Sequence, residues 1–175
     1  MLSKRPILWC GLIPPRSEIK NFVLLTREEA LMVLAWRNHP QIANFMFRKT
    51  AISEKEHFSF IESLKETKTR FYYLVFKEKK PIGVIYITDI CWAKREGELG
   101  LYKNPELRGV GTILLESLEN LASLLGLSHL VAKVLPDNHR ALSLYSRKGY
   151  RPLNKSLKFL LLSKSLGVSV CPGPL

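Results

Sequence analysis

Between residues 71 and 102 the chain passes through three β-rich stretches with no helix-length segment between them. Phe71 to Phe76 is aromatic and aliphatic throughout, Pro81 to Ile90 follows the charged turn Lys77 to Lys80, and Glu98 to Tyr102 comes next. A parallel crossover needs a dozen or more residues, usually a helix, so three strands joined this closely pair as antiparallel hairpins. That excludes an all-parallel, doubly wound sheet and every all-helical fold. Beyond Tyr102 the order changes. A helical stretch from Gly111 to Leu125 stops at Gly126, and a strand from Leu130 to Val134 follows. Asn138 to Lys148 is a helix ended by Gly149, and Phe159 to Leu162 is a last apolar strand. A β-α-β step added to a meander makes a mixed sheet covered by helices.

Upstream signals complete the order. Ile19 to Leu25 reads as a short strand. Thr26 then opens a helix, with Glu29 completing a capping box and Ala30, Val33, Leu34 and Trp36 at helical spacing. Pro40 ends it by disfavouring helical geometry at His39. Ser53 and Glu56 make a second capping box, and Phe58, Ile61 and Leu64 predict an amphipathic helix from Ser53 to Lys65. The expected order is β-α-α-β-β-β-α-β-α-β, an α/β fold with a mixed, mostly antiparallel central sheet and helices on both faces. Residues 1–18, with Pro6, Pro14 and Pro15, read as an irregular lead-in. Residues 19–164 read as a single domain, and 165–175, with Gly167, Pro172, Gly173 and Pro174, as a disordered tail.

Composition matters here for what it removes. Apolar residues make up 46% and charged residues 24% of the 175, which excludes a mainly disordered chain. No apolar run reaches the roughly 18 to 20 residues of a membrane-spanning helix. Ile7 to Ile13, after Lys4 and Arg5, imitates a signal peptide, but Pro14 and Pro15 come early and no small-x-small cleavage site follows. Cys10, Cys91 and Cys171 lie too far apart for a metal site or a disulfide framework and suit a reducing compartment, so a cytoplasmic location and no metal are expected. The net charge is +12, of which +3 falls in residues 1–22, +4 in 151–175 and +5 in the 128 residues between. A core this modestly basic fits a small anionic ligand at least as well as a nucleic acid.

The segment richest in chemistry runs from Glu98 to Tyr150. Arg108-Gly109-Val110-Gly111-Thr112 opens the long helix directly after a strand. Without a Cβ, glycines there let backbone amides approach a ligand, and a helix N-terminus leaves several N–H groups unpaired beside a partial positive charge. The combination suits a diphosphate, with Arg108 adding a full charge; its alternative is a glycine-softened turn before an ordinary helix. It is not a Walker A loop, lacking the terminal Gly-Lys-[Ser/Thr], nor a dinucleotide fingerprint, lacking a third glycine at the required place.

Asn138-His139-Arg140-Ala141-Leu142-Ser143-Leu144-Tyr145-Ser146-Arg147-Lys148-Gly149-Tyr150 follows the next strand by a few residues. With Arg108 and Gly111 upstream, this resembles the GNAT superfamily of N-acetyltransferases. Its R-x-x-G-x-[G/A] turn is followed by N-x-x-A-x-x-L-Y-x-x-x-G-[F/Y]; Ile113 departs from the small residue that ends the first motif. The resemblance spans Asn21 to Leu162. It implies a splayed pair of strands in the sheet and acetyl-CoA as co-substrate. It implies that the amides of Arg108, Gly109, Val110, Gly111 and Thr112 hold the diphosphate. The backbone of Tyr102 and Lys103 would pair with the pantetheine arm, Asn138 would bond it, and Tyr145 would protonate the departing thiolate. The alternative for Tyr145 is a core tyrosine on a helix face.

Trp36-Arg37-Asn38-His39-Pro40, Glu56-His57-Phe58 and Gly100-Leu101-Tyr102-Lys103-Asn104-Pro105 are similar to one branch of that superfamily, the pseudaminic acid pathway N-acetyltransferases. That similarity implies acetylation of the 4-amino group of a UDP-linked amino-deoxy sugar feeding flagellin glycosylation, with Arg37, His57, Thr88 and Tyr102 toward the acceptor. Arg37 reads equally as part of a proline-stopped helix end, and His57 as a structural histidine. A protonated amine must lose its proton before attack. Asp89, Glu98 and Tyr102 are the candidate bases, with Thr88 able to order a water; Glu98 shares a strand face with Gly100 and Tyr102, and the alternative for either carboxylate is an ion pair with Lys94 or Arg95.

Two other functions share some of these features. A ribosomal-protein-type N-terminal acetyltransferase would carry both cofactor motifs. A nucleic-acid or anionic-surface binding module would use the charge, but no helix carries a clean basic stripe and no aromatic-basic alternation marks an RNA-binding sheet. Neither nucleic acid nor membrane is therefore expected as a partner, and superfamily analogy suggests a homodimer paired through sheet edges.

Overall fold

A computed structural model describes residues 17–156 and 158–167. Seven strands form one sheet in the order β1-β2-β3-β4-β5-β7-β6. They are β1 Ser17–Asn21, β2 Phe71–Lys77, β3 Lys80–Cys91, β4 Glu96–Lys103, β5 His129–Val134, β6 Arg151–Lys155 and β7 Leu160–Ser165. Every neighbouring pair is antiparallel except β4 and β5. The hairpins expected from residues 71–102 are the centre of the sheet. Glu78 and Lys79, at φ 51° and 63°, make the tight reversal between β2 and β3.

Helices cover both faces. On one, α1 (Arg27–Asn38), α2 (Pro40–Ala43), α3 (Glu54–Ser63) and the turns flanking them set Phe22, Val33, Trp36 and Leu64 over Leu74, Val84 and Tyr102 of the sheet. On the other, α4 (Gly111–Leu124) and α5 (His139–Arg147) set Leu114, Leu115, Leu118 and Tyr145 against Ile85, Ile87, Leu99 and Leu130. Both capping boxes form, Thr26 with Glu29 and Ser53 with Glu56, each side chain accepting from the other's backbone amide.

The structure departs from expectation at several places, each with a local cause. Strand β1 begins at Ser17 and stops at Asn21, whose side chain accepts from the Val23 amide and starts a 3-10 turn over Phe22–Leu24. Ser17 and Glu18 therefore belong to the sheet and not to the lead-in; residues 1–16 lie outside the described residues. Pro40 ends α1 and also begins α2, because its missing N–H costs nothing at a first helical position. Strand β6 was not expected: Pro152 argues against a central strand but is tolerated at the end of the sheet, where β6 lies. Ser165 completes β7 and Leu166 is packed into the core, so these two belong to the domain and not to the expected tail; residues 168–175 lie outside the described residues. In α3 the buried residue is His57, with Leu64 buried at its C-cap, while Phe58 turns outward under the Arg27 guanidinium, 5.0 Å from its ring centre.

Candidate active site

The mixed sheet creates its own opening. Strands β4 and β5 pair over four positions, from Glu96 with His129 to Leu99 with Ala132. Past that point β4 stays with β3, ending at Lys103 opposite Gly83, while β5 stays with β7. Gly100 to Lys103 and Lys133 to Val134 thus line the two sides of a wedge, the splay expected at Tyr102 and Lys103. Backbone groups there are free to pair with an extended amide-bearing ligand.

Strand β4 leads from the wedge through residues 104–110 into α4. Gly109 takes φ +75°, a left-handed turn that favours glycine, with open space where a Cβ would project. Val110 caps α4 without a side-chain hydrogen bond, and the first turn carries no acidic residue, so its amides are left for an anion. Lys103 Nζ donates to the carbonyls of Asn104 (3.1 Å) and Pro105 (2.8 Å), fixing the turn. Desolvation lowers the Lys103 pKa, and the nearby Arg140 and Arg108 charges lower it further. Three cations therefore meet beside the helix N-terminus. Gly111 abuts Leu144 of α5, with an added Cβ 3.2 Å from its Cδ2, and so joins the two motif helices; Thr112 is half-buried in the same first turn. Asn138 caps α5 by accepting from the Ala141 amide at 3.2 Å, leaving its side-chain nitrogen available as a donor. A diphosphate on an amide-rich arm fits this arrangement, and acetyl-CoA carries both; when bound it supplies an activated acetyl thioester.

Tyr145 is buried at 5% exposure on the α5 face that meets the sheet, its ring 5.2 Å from that of Tyr150. Burial, with a smaller contribution from Tyr86, raises its phenol far above the ordinary range, so the hydroxyl is neutral and can donate. The core-tyrosine and proton-donor readings both find support in this position.

Across the sheet lies a cavity of about 350 Å³ whose wall includes Arg37, His57, Tyr72, Tyr86 and Tyr102, with Phe47 at its rim. Arg37 lies in the last turn of α1; its Nη2 donates to the Arg48 carbonyl at 2.9 Å, while Nη1 is buried with no hydrogen-bond partner among the described residues. A buried guanidinium nitrogen left unpaired is costly unless something polar or anionic joins it. His57 donates from Nε2 to the Ala30 carbonyl at 3.0 Å, tying α3 to α1. Burial lowers its pKa, the Ala30 bond opposing, so the ring is a neutral wall of the cavity held by a structural bond. Tyr102 is buried at 8% exposure with its phenol raised by burial.

The candidate bases are less central. Glu98 pairs with Lys133 at 2.9 Å, not with Lys94 or Arg95, and Lys133 sits over Phe47 and Phe159 at 5.9 and 5.4 Å. Thr88 stands opposite Glu98 in the β3–β4 ladder. Asp89 is exposed at the bulge after Thr88, with φ 50°. Neither carboxylate lines the cavity.

Sequence reasoning missed Tyr72, Tyr86, Lys133 and Arg140. Tyr86 had a signal in retrospect: it alternates with Val84 and Thr88 on one strand face.

Residues 29–150 match the family described as Acetyltransferase (GNAT) family. The Acetyltransferase PseH of Campylobacter jejuni is 38% identical over 134 residues, 76% of this chain and 83% of that one. The crystal structure of the Campylobacter jejuni N-acetyltransferase PseH in complex with acetyl coenzyme A superposes with a TM-score of 0.72 at 29% identity, covering 86% of this chain and 99% of that one. A Vibrio cholerae spermidine N-acetyltransferase with CoA and spermine reaches 0.76 at 16% identity, over 87% and 97%, a likeness of fold.

Proposed function

The chain belongs to the acetyltransferase (GNAT) family and is an acetyl-CoA-dependent N-acetyltransferase, and we propose that its acceptor is a UDP-linked amino-deoxy sugar. Transfer to the 4-amino group would place it in pseudaminic acid biosynthesis, in the cytoplasm. The observation that carries this reading is Arg37, which lines a cavity wide enough for a sugar and whose buried Nη1 has no hydrogen-bond partner among the described residues. A sugar nucleotide brings a diphosphate, the kind of anion that satisfies such a guanidinium. The likeness to the Campylobacter jejuni PseH acetyltransferases, at 37 to 38% identity, supports the same acceptor.

In this reading the amides of Arg108 to Thr112 and the Lys103–Arg140 cluster hold the diphosphate of acetyl-CoA. Tyr102 and Lys103 pair with its arm through their backbone, and Asn138 donates to it. The amine reaches the wedge from the cavity over Tyr86 and Tyr102. Thr88 and Glu98 hold the water that takes its proton; Asp89 stands farther out on the bulge. Tyr145 gives a proton to sulfur as the carbon–sulfur bond breaks, which helps because a neutral thiol leaves more readily than a thiolate.

Thiol release should be measured with acetyl-CoA against a panel of UDP-4-amino sugars and of peptides with free N-termini. Turnover of the sugars and not the peptides is expected. Preference for the peptides would assign the cavity to a protein N-terminus instead.

A further inference from the structure

We propose that Tyr86 is a second catalytic tyrosine, its hydroxyl donating a hydrogen bond to the acyl oxygen of the thioester during attack. The proposal rests on the acetyl-CoA site described above and not on which amine enters. Tyr86 stands opposite Gly100 in the β3–β4 ladder, and Gly100 is the first β4 residue past the last β4–β5 pair. A Cβ added at Gly100 would fall into the Tyr86 ring, against Cζ, Cε2 and the hydroxyl oxygen. Glycine is thus the slot through which the ring crosses β4, and the crossing carries the hydroxyl from the cavity wall to the mouth of the wedge. The ring is also held in place. It stacks on Tyr72 at 4.7 Å and 13°, and Tyr72 is fixed in turn by Phe60 at 4.9 Å and Phe22 at 5.5 Å.

Within the described residues the Tyr86 hydroxyl makes no hydrogen bond of its own. It stands near Tyr145, Tyr102 and Tyr72 and helps to keep each of those phenols protonated, while its own phenol is drawn down by Arg37 and up by Glu98. Burial keeps the phenol protonated, with Arg37 opposing, so it acts as a donor. When the amine nitrogen bonds to the acyl carbon, the carbon–oxygen π pair moves onto oxygen. The pair returns as the carbon–sulfur bond breaks and its electrons leave on sulfur, which takes a proton; the nitrogen loses one. A fixed neutral donor at the acyl oxygen is worth most at the moment that oxygen carries charge.

The test is Tyr86→Phe, which keeps the stack and deletes the donor. The infrared carbonyl band of bound [1-13C]acetyl-CoA should lie at lower wavenumber in the native enzyme than in the variant. The variant's kcat should fall roughly 10²- to 10³-fold, the size seen for one such donor, with the acceptor KM within about twofold. The slow hydrolysis of acetyl-CoA without any amine should fall in proportion. Gly100→Ala should displace the ring and give the same losses, with no further loss in the double variant. An unchanged carbonyl band, a kcat within about twofold of native, or a change confined to the acceptor KM would each overturn the proposal. Should no UDP-sugar be turned over while band and hydrolysis still respond, the acceptor assignment fails and the role of Tyr86 stands.

Discussion

Single residues in this site divide into those whose type announces a role and those whose role depends on a partner far away in sequence. Tyr145 is of the first kind, embedded in a motif that resembles a family pattern throughout. Tyr145→Phe keeps the ring against Tyr150 and removes only the hydroxyl, so kcat should fall roughly 10- to 1000-fold, around the range for one positioned acid. Coenzyme A affinity, measured by calorimetry, should stay nearly constant, because a donor in the proposed role would act only as the thiolate forms. Near-native kcat would show that water or a neighbouring group protonates sulfur. His57 and Glu98 are of the second kind. Their residue types suggested a substrate contact and a base, but the Ala30 carbonyl and the Lys133 ammonium that engage them lie 27 and 35 positions away. No local spacing rule reaches that far. Arg37 stands between: its place before Pro40 was readable, and its unpaired nitrogen was not.

At the scale of elements, local signals were decisive where the chain itself supplies the partner. Both capping boxes and the glycine stop after α4 lie within a few residues of what they cap. The wedge was implied by resemblance alone, since where β4 leaves β5 is a matter of register between strands. Helix α4 offers a direct test. Gly109→Asp places a negative charge in the open space before the uncapped amides, and Asp tolerates a left-handed backbone better than most residues. The rise in melting temperature that coenzyme A produces should largely disappear, while the ligand-free protein melts only a few degrees lower. A preserved rise would place the diphosphate elsewhere. Helix α3 has a pH signature. His57 is held neutral with a lowered pKa, so below its ordinary value of about 6.5 the unfolded chain binds the extra proton and the folded chain does not. Stability from this group is complete above that value and is lost as pH falls through the folded one. Glu56, lowered to about 2 first by Arg48 and then by Ser53, keeps its carboxylate through the same interval. The melting temperature should therefore decline as pH falls below about 6.5, and His57→Gln should flatten that decline. Equal slopes in both proteins would remove His57 as its cause.

For the whole molecule, three strands in succession followed by a β-α-β step were enough to fix the fold class. The packing beside the cavity rim was beyond any local pattern, because Phe47, which lines the cavity, meets Lys133 and Phe159 from two distant segments. Net charge has its own consequence at this scale. Both proposed substrates are polyanions, and cations gather at each entrance: Lys103, Arg108 and Arg140 at one, Arg37 and Arg48 at the other. Raising ionic strength from about 0.01 to about 0.15 M shortens the screening length from about 30 to about 8 Å. Both KM values should rise across that range with kcat little changed, as initial rates at several salt concentrations would reveal. Salt-insensitive KM values would mean that contact hydrogen bonds, and not the field, recruit the substrates. The parting of β4 and β5 also has a mechanical meaning. The two halves of the sheet are sewn together by a seam four pairs long, with the rest of that line left open. A co-substrate lying along the open length would act as a clasp, so occupancy should raise the force needed to tear the halves apart and slow amide exchange on both lips of the seam at once.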